Sequence, residues 1–473
     1  MLRPRSRGRV SGSGGDAAIV PRMSSPLAIA RSILQNTFGH AEFRPLQSRV
    51  IHHVLAGRDV LAVLPTGGGK SVCYQVPGLA TDGLTVVVSP LIALMQDQVG
   101  ALAGKGIAAA ALNSTCDAAT QVAMIADAAN GRLKLLYVSP ERLPRFADEL
   151  RARGGAVLRL AVDEAHCIVE WGHDFRPSYR ALRRVRHQLG NPPCIALTGT
   201  ATPEVRADIQ QSLGFRPDSR EIVGSFDRPN LRFEVLAVSG RDDRLARLIS
   251  LVRGTRGSAI VYAPTRGLVE GLTRVLAESG VVAAPYHAGM TPAERRETLE
   301  RFLDDRVRVV VATCAFGMGI DKSGVRLVAH WTMPATPESY YQEAGRAGRD
   351  GAPARCVMAH HPTDATLPRR QLDTTFPAER LLEQLWRDSS LRTRYPASVI
   401  AAADRLAAEL RPDRGPVTWT GVRRRRREAS RRIDAMLRYA ARTTRCRRST
   451  LLAWFGEECR RCGGCDRCGP AAR

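Results

Sequence analysis

The chain has 473 residues, of which 44% are apolar, and a formal net charge of +24. Its length is that of about three ordinary domains, and it has no apolar run of the roughly 18 residues needed to cross a membrane. We therefore expect a soluble, cytoplasmic protein with no membrane partner. The positive charge favours a polyanionic partner such as nucleic acid. However, nearly all of the basic residues are arginine, and a coding bias toward arginine would produce much of this charge.

The first 25 residues are rich in glycine, serine and arginine and have no hydrophobic periodicity. This composition predicts a disordered basic tail over residues 1–25. A solvated tail and a weak nucleic-acid-binding arm are both compatible with it.

From residue 26 to 224, short apolar segments alternate with longer segments rich in alanine, leucine, arginine and glutamine. Alternation of this kind predicts an α/β lobe in which crossover helices join parallel strands and ligands bind at the carboxyl ends of the strands. The predicted strands are Val60–Leu64, Leu84–Val88, Lys134–Val138, Leu158–Val162 and Cys194–Thr198.

The polar stretch SFDRPNLRF at residues 225–233 interrupts this pattern and is interpreted as a linker. The alternation then restarts and predicts a second α/β lobe over residues 225–365. Because only the first lobe carries a phosphate-binding motif, we expect the nucleotide to lie between the lobes. The strands predicted for the second lobe are Ser258–Tyr262, Val307–Ala312, Arg326–Trp331 and Arg355–Ala359.

The first predicted strand runs directly into PTGGGKS. Bare backbone N–H groups before a helix, one long cation and one hydroxyl can together hold nucleotide phosphates and Mg²⁺. The residues that supply them are Thr66, Gly67, Gly68, Gly69, Lys70 and Ser71. The common form of this motif has glycine at the position of Leu64, so the match is incomplete. A flexible glycine turn after a strand is the alternative.

The fourth predicted strand ends at two adjacent carboxylates, Asp163 and Glu164. Such a pair suits a Mg²⁺ ligand followed by a group that orients or deprotonates the attacking water. A surface turn is the simpler interpretation. It is less favoured because the strand would bring the pair beside the phosphate loop.

Near the end of the second lobe, YYQEAGRAGRDG contains Gln342, Arg346 and Arg349. The two arginines are three residues apart, so on a helix they would face one direction. Guanidinium groups that reach across the interlobe cleft would stabilise charge on a transferring γ-phosphoryl group. The string alone is weak evidence, because this chain has many arginine-rich helices. The loops at residues 198–203 and 311–322 should face the same cleft.

Several motifs occur in a characteristic order: FRPLQ at residues 43–47, PTGGGKS, SPLIALMQDQV, DEAH with CIVEWGHDFRP, SFDRPN, YHAGM, ATCAFGMGID and YYQEAGRAGRDG. In their order and approximate spacing they resemble the RecQ-type DNA helicases of superfamily 2, over about residues 30–365. The resemblance implies two tandem RecA-like lobes, ATP hydrolysis with Mg²⁺, and 3′ to 5′ unwinding of duplex DNA in repair or recombination. Its implied partners are single-stranded DNA and 3′-tailed duplexes.

The resemblance also implies roles for individual residues in ATP hydrolysis. It makes Arg44 and Gln47 adenine readers, Glu164 the catalytic base, and Arg349 the arginine finger with Arg346 beside it. Lys70 would bind phosphate, and Ser71 and Asp163 would bind Mg²⁺.

An aromatic-rich loop would couple DNA binding to hydrolysis through Trp171, Phe175 and Arg176. Its composition fits this role, because aromatic faces stack nucleic-acid bases without reading their sequence. Two residues depart from the family pattern. His40 replaces a frequent aromatic residue, and Gly199 alters the motif usually written TATA.

Five cysteines lie within the last 28 residues, which points to a metal in a reducing compartment. The zinc module of the RecQ family selects Cys446, Cys462, Cys465 and Cys468 as Zn²⁺ ligands, with residues 446–473 as the module, and leaves Cys459 as a spare thiol. The evenly spaced run from Cys459 to Cys468, which resembles part of an iron–sulfur motif, is the alternative.

Residues 366–445 are predicted to be helical and arginine-rich, and VTWTG at residues 417–421 to be extended. Residues 422–448 contain twelve arginines and two acidic residues. We hypothesise that Arg423–Arg427 attract a duplex backbone, in place of the winged-helix and C-terminal helical domains that we do not recognise in this sequence. A solvated helix is the alternative. For the whole chain, the alternatives are an RNA-directed helicase and an ATP-switched strand-binding or annealing protein.

Overall fold

The fold is described from a computed structural model, which covers residues 25–65, 67–168, 177–317, 322–410, 419–441, 444–459, 462 and 464–470. Within these residues, every helix is too short or too polar to span a membrane. Two parallel sheets and a mainly helical region follow one another along the chain.

The first lobe is a seven-stranded parallel sheet with the strand order β3-β4-β2-β5-β6-β1-β7. Its strands are β1 (Val60–Val63), β2 (Leu84–Val88), β3 (Ala109–Leu112), β4 (Leu135–Val138), β5 (Val157–Val162), β6 (Cys194–Thr198) and β7 (Arg220–Val223). Its helices are α1 (Pro26–Phe38), α2 (Pro45–Leu55), α3 (Val72–Ala80), α4 (Ile92–Ala103), α5 (Ala118–Ala129), α6 (Leu143–Ala152), α7 (Leu182–Gln188) and α8 (Pro203–Leu213).

All five strands predicted for this lobe are present, and the sequence analysis missed two others. These are β3 and β7, the two edge strands of the sheet. Edge strands are less buried than central ones, so their sequences need not be continuously apolar. Accordingly, β7 begins with an exposed arginine and glutamate. Strand β3 is mostly alanine, a residue that is depleted in strands.

The second lobe has six parallel strands in the order β10-β11-β9-β12-β13-β8. Its strands are β8 (Leu231–Ala237), β9 (Ser258–Tyr262), β10 (Ala283–Tyr286), β11 (Val309–Ala312), β12 (Val325–His330) and β13 (Ala354–His360). Its helices are α9 (Arg241–Gly254), α10 (Arg266–Glu278), α11 (Pro292–Leu303) and α12 (Pro337–Ala344). The predicted strands are found, whereas β8 and β10 were missed. Strand β8 starts inside the stretch that we interpreted as a linker.

The remaining helices are α13 (Thr366–Thr375), α14 (Glu379–Arg387), α15 (Ala397–Leu410), α16 (Thr420–Ala441) and α17 (Arg447–Trp454). The apolar stripe of α16, which includes Met436 and Ala440, packs into the core of the second lobe. The prediction that VTWTG is extended is wrong where it can be checked, because Trp419 lies in a turn and Thr420 begins α16. Residues 417 and 418 lie outside the described residues.

Two short strands near the end of the chain, β14 (Gly464–Cys465) and β15 (Gly469–Pro470), extend the second sheet. Cys465 on β14 pairs with Phe233 on β8. The cysteine-rich segment is therefore part of the second lobe's sheet. The predicted fold class, two tandem RecA-like lobes followed by a mainly helical zinc-binding module, is confirmed.

Candidate functional site

The phosphate loop follows β1 at the carboxyl edge of the first sheet. Gly67 and Gly69 have left-handed φ angles of 79° and 68°, which side chains other than glycine rarely adopt. A Cβ atom on Gly69 would lie 2.4 Å from the Gln47 side-chain nitrogen. Ser71 stands immediately before α3, so the loop leads into a helix N-terminus. Thr66 lies outside the described residues.

Two residues at the start of α2 contact this loop directly. Arg44 donates a hydrogen bond to the carbonyl oxygen of Gly67. Gln47 Nε2 donates to the carbonyl oxygens of Gly68 and Gly69, each at 3.1 Å. The structure thus brings the two expected adenine readers onto the backbone of the phosphate loop.

Asp163 and Glu164 follow β5 at the same edge of the sheet. Burial raises the pKa of the Asp163 carboxyl, the Glu164 carboxylate raises it further, and Lys70 opposes both effects. A buried carboxylate with another carboxylate next to it is stabilised as an anion by a nearby cation, and Lys70 acts on Asp163 in this way. Glu164 has a left-handed φ of 45°, an uncommon backbone conformation for a residue with a Cβ atom.

A histidine lies between Glu164 and the end of β6. His166 Nδ1 lies 2.9 Å from Thr198 Oγ1 and 3.3 Å from Glu164 Oε2. The hydroxyl of Thr198 also accepts a hydrogen bond from the backbone N–H of Thr200 at 3.2 Å. The catalytic base expected from the sequence is therefore connected to the loop at residues 198–203.

The arginines of the second lobe lie in a turn rather than on a helix. Helix α12 ends at Ala344, and residues 345–350 form consecutive turns. The prediction that Arg346 and Arg349 share a helix face is therefore wrong. Gly345 and Gly348 lie within this turn, and Gly348 has a φ of 55°. Arg346 is buried and donates to the carbonyl oxygen of Gly317, whereas Arg349 and Gln342 are half-buried.

Two linker residues that the sequence analysis did not assign hold this turn. Arg228 donates to the carbonyl oxygens of Gly345 at 3.2 Å, Ala347 at 3.0 Å and Gly348 at 2.8 Å. Asn230 Nδ2 donates to Gly348 and Ala352 at 2.8 and 2.9 Å. A guanidinium suits this position, because carbonyl groups at a helix end carry partial negative charge. The SFDRPN motif contains both residues, so it was the available signal.

The linker itself is held by the C-terminal module. The Glu457 carboxylate accepts hydrogen bonds from Ser225 Oγ at 2.5 Å and from the Phe226 N–H at 2.6 Å. The Phe226 and Phe455 rings stack with their centroids 4.5 Å apart. The buried Arg448 bonds to Asp227 and to the carbonyl oxygens of Arg228 and Leu231. The module thus fixes the segment that joins the two lobes.

Four cysteine sulfurs form a compact cluster in this module. The Sγ atoms of Cys446, Cys462, Cys465 and Cys468 all lie within 4.8 Å of one another. This spacing fits tetrahedral Zn²⁺, whose bonds to sulfur are about 2.3 Å long. Burial opposes ionisation of Cys465, but backbone N–H groups outweigh it and lower the pKa of this thiol to about 7, whereas the Cys446 side chain raises the pKa of Cys468. These residues therefore fit a structural zinc ion.

Cys459 is not one of the four clustered cysteines. It is half-buried and packs against the core of the first lobe. The structure therefore favours the four cysteines selected by family resemblance over the evenly spaced run that begins at Cys459.

The predicted DNA-coupling residues Trp171, Phe175 and Arg176 lie outside the described residues. Tyr179, at the end of the same segment, is buried, and its hydroxyl lies 3.4 Å from the backbone oxygen of Asp163. The described end of this segment, at Tyr179, therefore lies beside the backbone of Asp163.

Comparisons with known proteins agree with this geometry. The chain matches the DEAD/DEAH box helicase family over residues 44–209, the helicase conserved C-terminal domain over 241–351, and the RecQ zinc-binding domain over 413–469. Solved structures of DUF1998 helicase MrfA bound to DNA and of Mycobacterium smegmatis helicase Lhr are similar in fold. The MrfA structure has a TM-score of 0.60 and 20% identity, over 72% of this chain and 52% of its own. The Lhr structure has a TM-score of 0.57 and 24% identity, over 73% of this chain and 50% of its own. Together, the lobes and site define a superfamily 2 helicase.

Curated relatives narrow this class. ATP-dependent DNA helicase RecQ of Haemophilus influenzae is 44% identical over 75% of this chain and 57% of its own length. The Bacillus subtilis protein named "Probable ATP-dependent DNA helicase RecS" is 40% identical over 71% of this chain and 67% of its own length. The chain belongs to the RecQ-type helicase family. It spans 56–60% of the length of the RecQ proteins from H. influenzae, Pasteurella multocida and B. subtilis.

Proposed function

We propose that this chain is an ATP-dependent DNA helicase that translocates 3′ to 5′ on single-stranded DNA and unwinds duplexes during repair or recombination. The observation that carries this proposal is the meeting of three groups at one sheet edge: the phosphate loop, the Asp163–Glu164 pair and the His166–Thr198 link. Family membership supports the choice of DNA as the substrate. We expect the protein to act in the cytoplasm.

In this proposal the first lobe binds ATP. Arg44 and Gln47 read the adenine and, through their bonds to the loop carbonyl groups, align the phosphate loop with it. The backbone N–H groups of Gly67–Gly69, together with Thr66 and Lys70, hold the phosphates. Glu164 orients and deprotonates the attacking water.

Ser71 and Asp163 would hold Mg²⁺ in the same site. The buried Asp163 carboxyl, whose pKa is raised, fits a divalent cation, because the cation would stabilise its charged form. When bound, Mg²⁺ neutralises charge that develops on the phosphate oxygens. The hydroxyl and the carboxylate are oxygen ligands of the kind this ion prefers.

The second lobe would complete the site when it closes on the nucleotide. Arg349 supplies the arginine finger, with Arg346 and Gln342 next to it. Arg228 and Asn230 keep the turn that carries the two arginines in one shape. The link from Glu164 through His166 to Thr198 offers a route by which hydrolysis could change the position of the lobes.

The test is strand separation on a 3′-tailed DNA duplex with and without ATP and Mg²⁺. We expect ATP-dependent unwinding of this substrate and little unwinding of a matched 5′-tailed duplex. Glu164→Gln is the control, because it should bind ATP and DNA without turnover.

Other outcomes would favour the alternatives. Hydrolysis stimulated by single-stranded DNA without strand separation would replace this proposal with an ATP-switched binding or annealing protein. Stimulation by RNA alone would point to an RNA-directed helicase.

A further inference from the structure

Two adjoining cavities form a groove between the second lobe and the helical region. One, of about 420 Å³, lies at the carboxyl ends of β9 and β12 and is lined by Tyr262 and His330. The other, of about 650 Å³, lies among α13, α15 and α16. Both volumes are typical of ligand sites. The cavities adjoin each other, because they share five lining residues: Ala335, Leu367, Pro368, Arg370 and Gln371.

The larger cavity has a strongly basic lining. Its charged lining residues within the described chain are four arginines and no aspartate or glutamate: Arg370, Arg405, Arg425 and Arg432. Arg425 and Arg432 are 3% and 4% exposed. Arg405 donates to the Thr375 carbonyl oxygen at 2.8 Å, and Arg432 Nε lies 3.1 Å from Glu338 behind the wall. These contacts fix the guanidinium groups in place.

The neighbouring cavity on the arginine-rich helix is different. It is also lined by four arginines, but Asp373 and Glu379 line it as well. Arg423 bonds to both carboxylate oxygens of Glu379 at 2.6 Å, and Arg426 bonds to Asp373 at 2.7 Å. Two of the arginines first expected to attract a duplex therefore have acidic partners on the helices next to α16. Among the described residues, the larger cavity of the groove is lined by arginines without a carboxylate, whereas the smaller cavity is lined by Glu343 and Asp364.

The remaining lining of the larger cavity mixes uncharged polar side chains with apolar ones, and the apolar ones include Leu367, Leu372, Phe376 and Ile433. A surface that combines guanidinium groups with apolar side chains suits a ligand with both phosphates and flat bases. Together the two adjoining cavities extend from the strand ends of the second lobe to the helices α13, α15 and α16. This shape favours a chain of nucleotides over a single small anion.

We propose that this groove binds one strand of nucleic acid and guides it from the second lobe across the helical region, with phosphates against Arg370 and Arg405. This inference rests on the proposed function, in which DNA is the partner. It differs from our sequence-based hypothesis in both ligand and location: a single strand replaces a duplex, and a recessed groove replaces the exposed Arg423–Arg427 run.

The salt dependence of single-stranded DNA binding tests the groove. Each lost phosphate contact should lower the slope of log affinity against log salt by about 0.7. Arg370→Gln combined with Arg405→Gln should therefore lower it by about 1.4, and the exposed Arg370→Gln alone by about 0.7. The measurement is fluorescence anisotropy of labelled oligothymidylate over a salt series, without nucleotide. The single variant keeps the test valid if loss of the Arg405 bond disturbs folding.

The control is Arg380→Gln with Arg387→Gln, which removes the same charge from exposed positions on α14 outside the groove. It should leave the slope unchanged. An unchanged salt slope in the groove variants, or an equal loss of slope in the control, would overturn the proposal that the groove binds nucleic acid. If single-stranded DNA still stimulates hydrolysis in that case, the proposed function survives. A wild-type chain that does not bind single-stranded DNA would overturn both.

Discussion

The two halves of the proposed ATP site are built in different ways. In the first lobe, the phosphate loop follows β1, Asp163 and His166 follow β5, and only β6 separates these two strands, so their contacts stay within one sheet edge. In the second lobe, the arginine-bearing turn is held by Arg228, 117 to 120 residues away in sequence. The linker that carries Arg228 is in turn held by the zinc module. The first half is thus assembled locally, whereas the second depends on a relay of distant contacts.

The largest expected effect on ATP turnover comes from the phosphate loop of the first lobe. Lys70→Ala should abolish ATP turnover, because no other described lysine lies in the loop to hold the phosphates, while DNA binding should persist. Phosphate release with and without single-stranded DNA measures turnover, and anisotropy measures binding. The matched change Lys105→Ala, on the surface after α4, should leave both unchanged. Persistent hydrolysis in the Lys70 variant would mean that the phosphate loop is wrongly assigned.

In the second lobe, the two arginines of the turn should differ in their effects on turnover and on stability. Arg349→Ala should lower turnover by about 10³ to 10⁵, as removal of an arginine finger does, and should lower thermal stability less than Arg346→Ala, because Arg349 is half-buried and Arg346 is buried. Arg346→Ala should also lower the unfolding temperature, because Arg346 is buried and bonded to Gly317. Differential scanning calorimetry alongside turnover separates the two roles. If only Arg346→Ala lowered turnover, the finger would have to be reassigned.

Features set by a local sequence pattern could be predicted from the sequence, whereas features set by contacts between distant residues could not. The apolar run before PTGGGKS and the strand before Asp163 each identify their element within a few residues, so the first half of the site was predictable. Arg228 was not assigned a role, since nothing near it in sequence identifies the carbonyl groups it binds. Likewise, the partners of Arg423 and Arg426 lie on α14 and α13, so the helix alone could not show which arginines were already paired.

Arg228→Gln tests the relay directly. It should lower kcat by about 10²-fold, the size of effect that a misplacement of about 1 Å can have, while KM for ATP changes little because the first lobe binds the nucleotide. Steady-state kinetics give this split. Arg232→Gln is the control, since Arg232 is a half-buried arginine on β8 that pairs with Glu234. A large rise in KM for Arg228→Gln would instead place it in nucleotide binding.

The zinc module lies at the far end of the relay, so its loss should have the smallest effect on hydrolysis. Cys465→Ser should reduce bound zinc from about one ion per chain to near none, because three remaining thiolates do not complete a structural tetrahedral site. Turnover should fall less than in Arg228→Gln, since Arg228 still reaches its carbonyl groups. Cys459→Ser should keep both zinc and turnover. Zinc analysis by a chromogenic chelator would contradict the assignment if Cys459→Ser released the metal and Cys465→Ser did not.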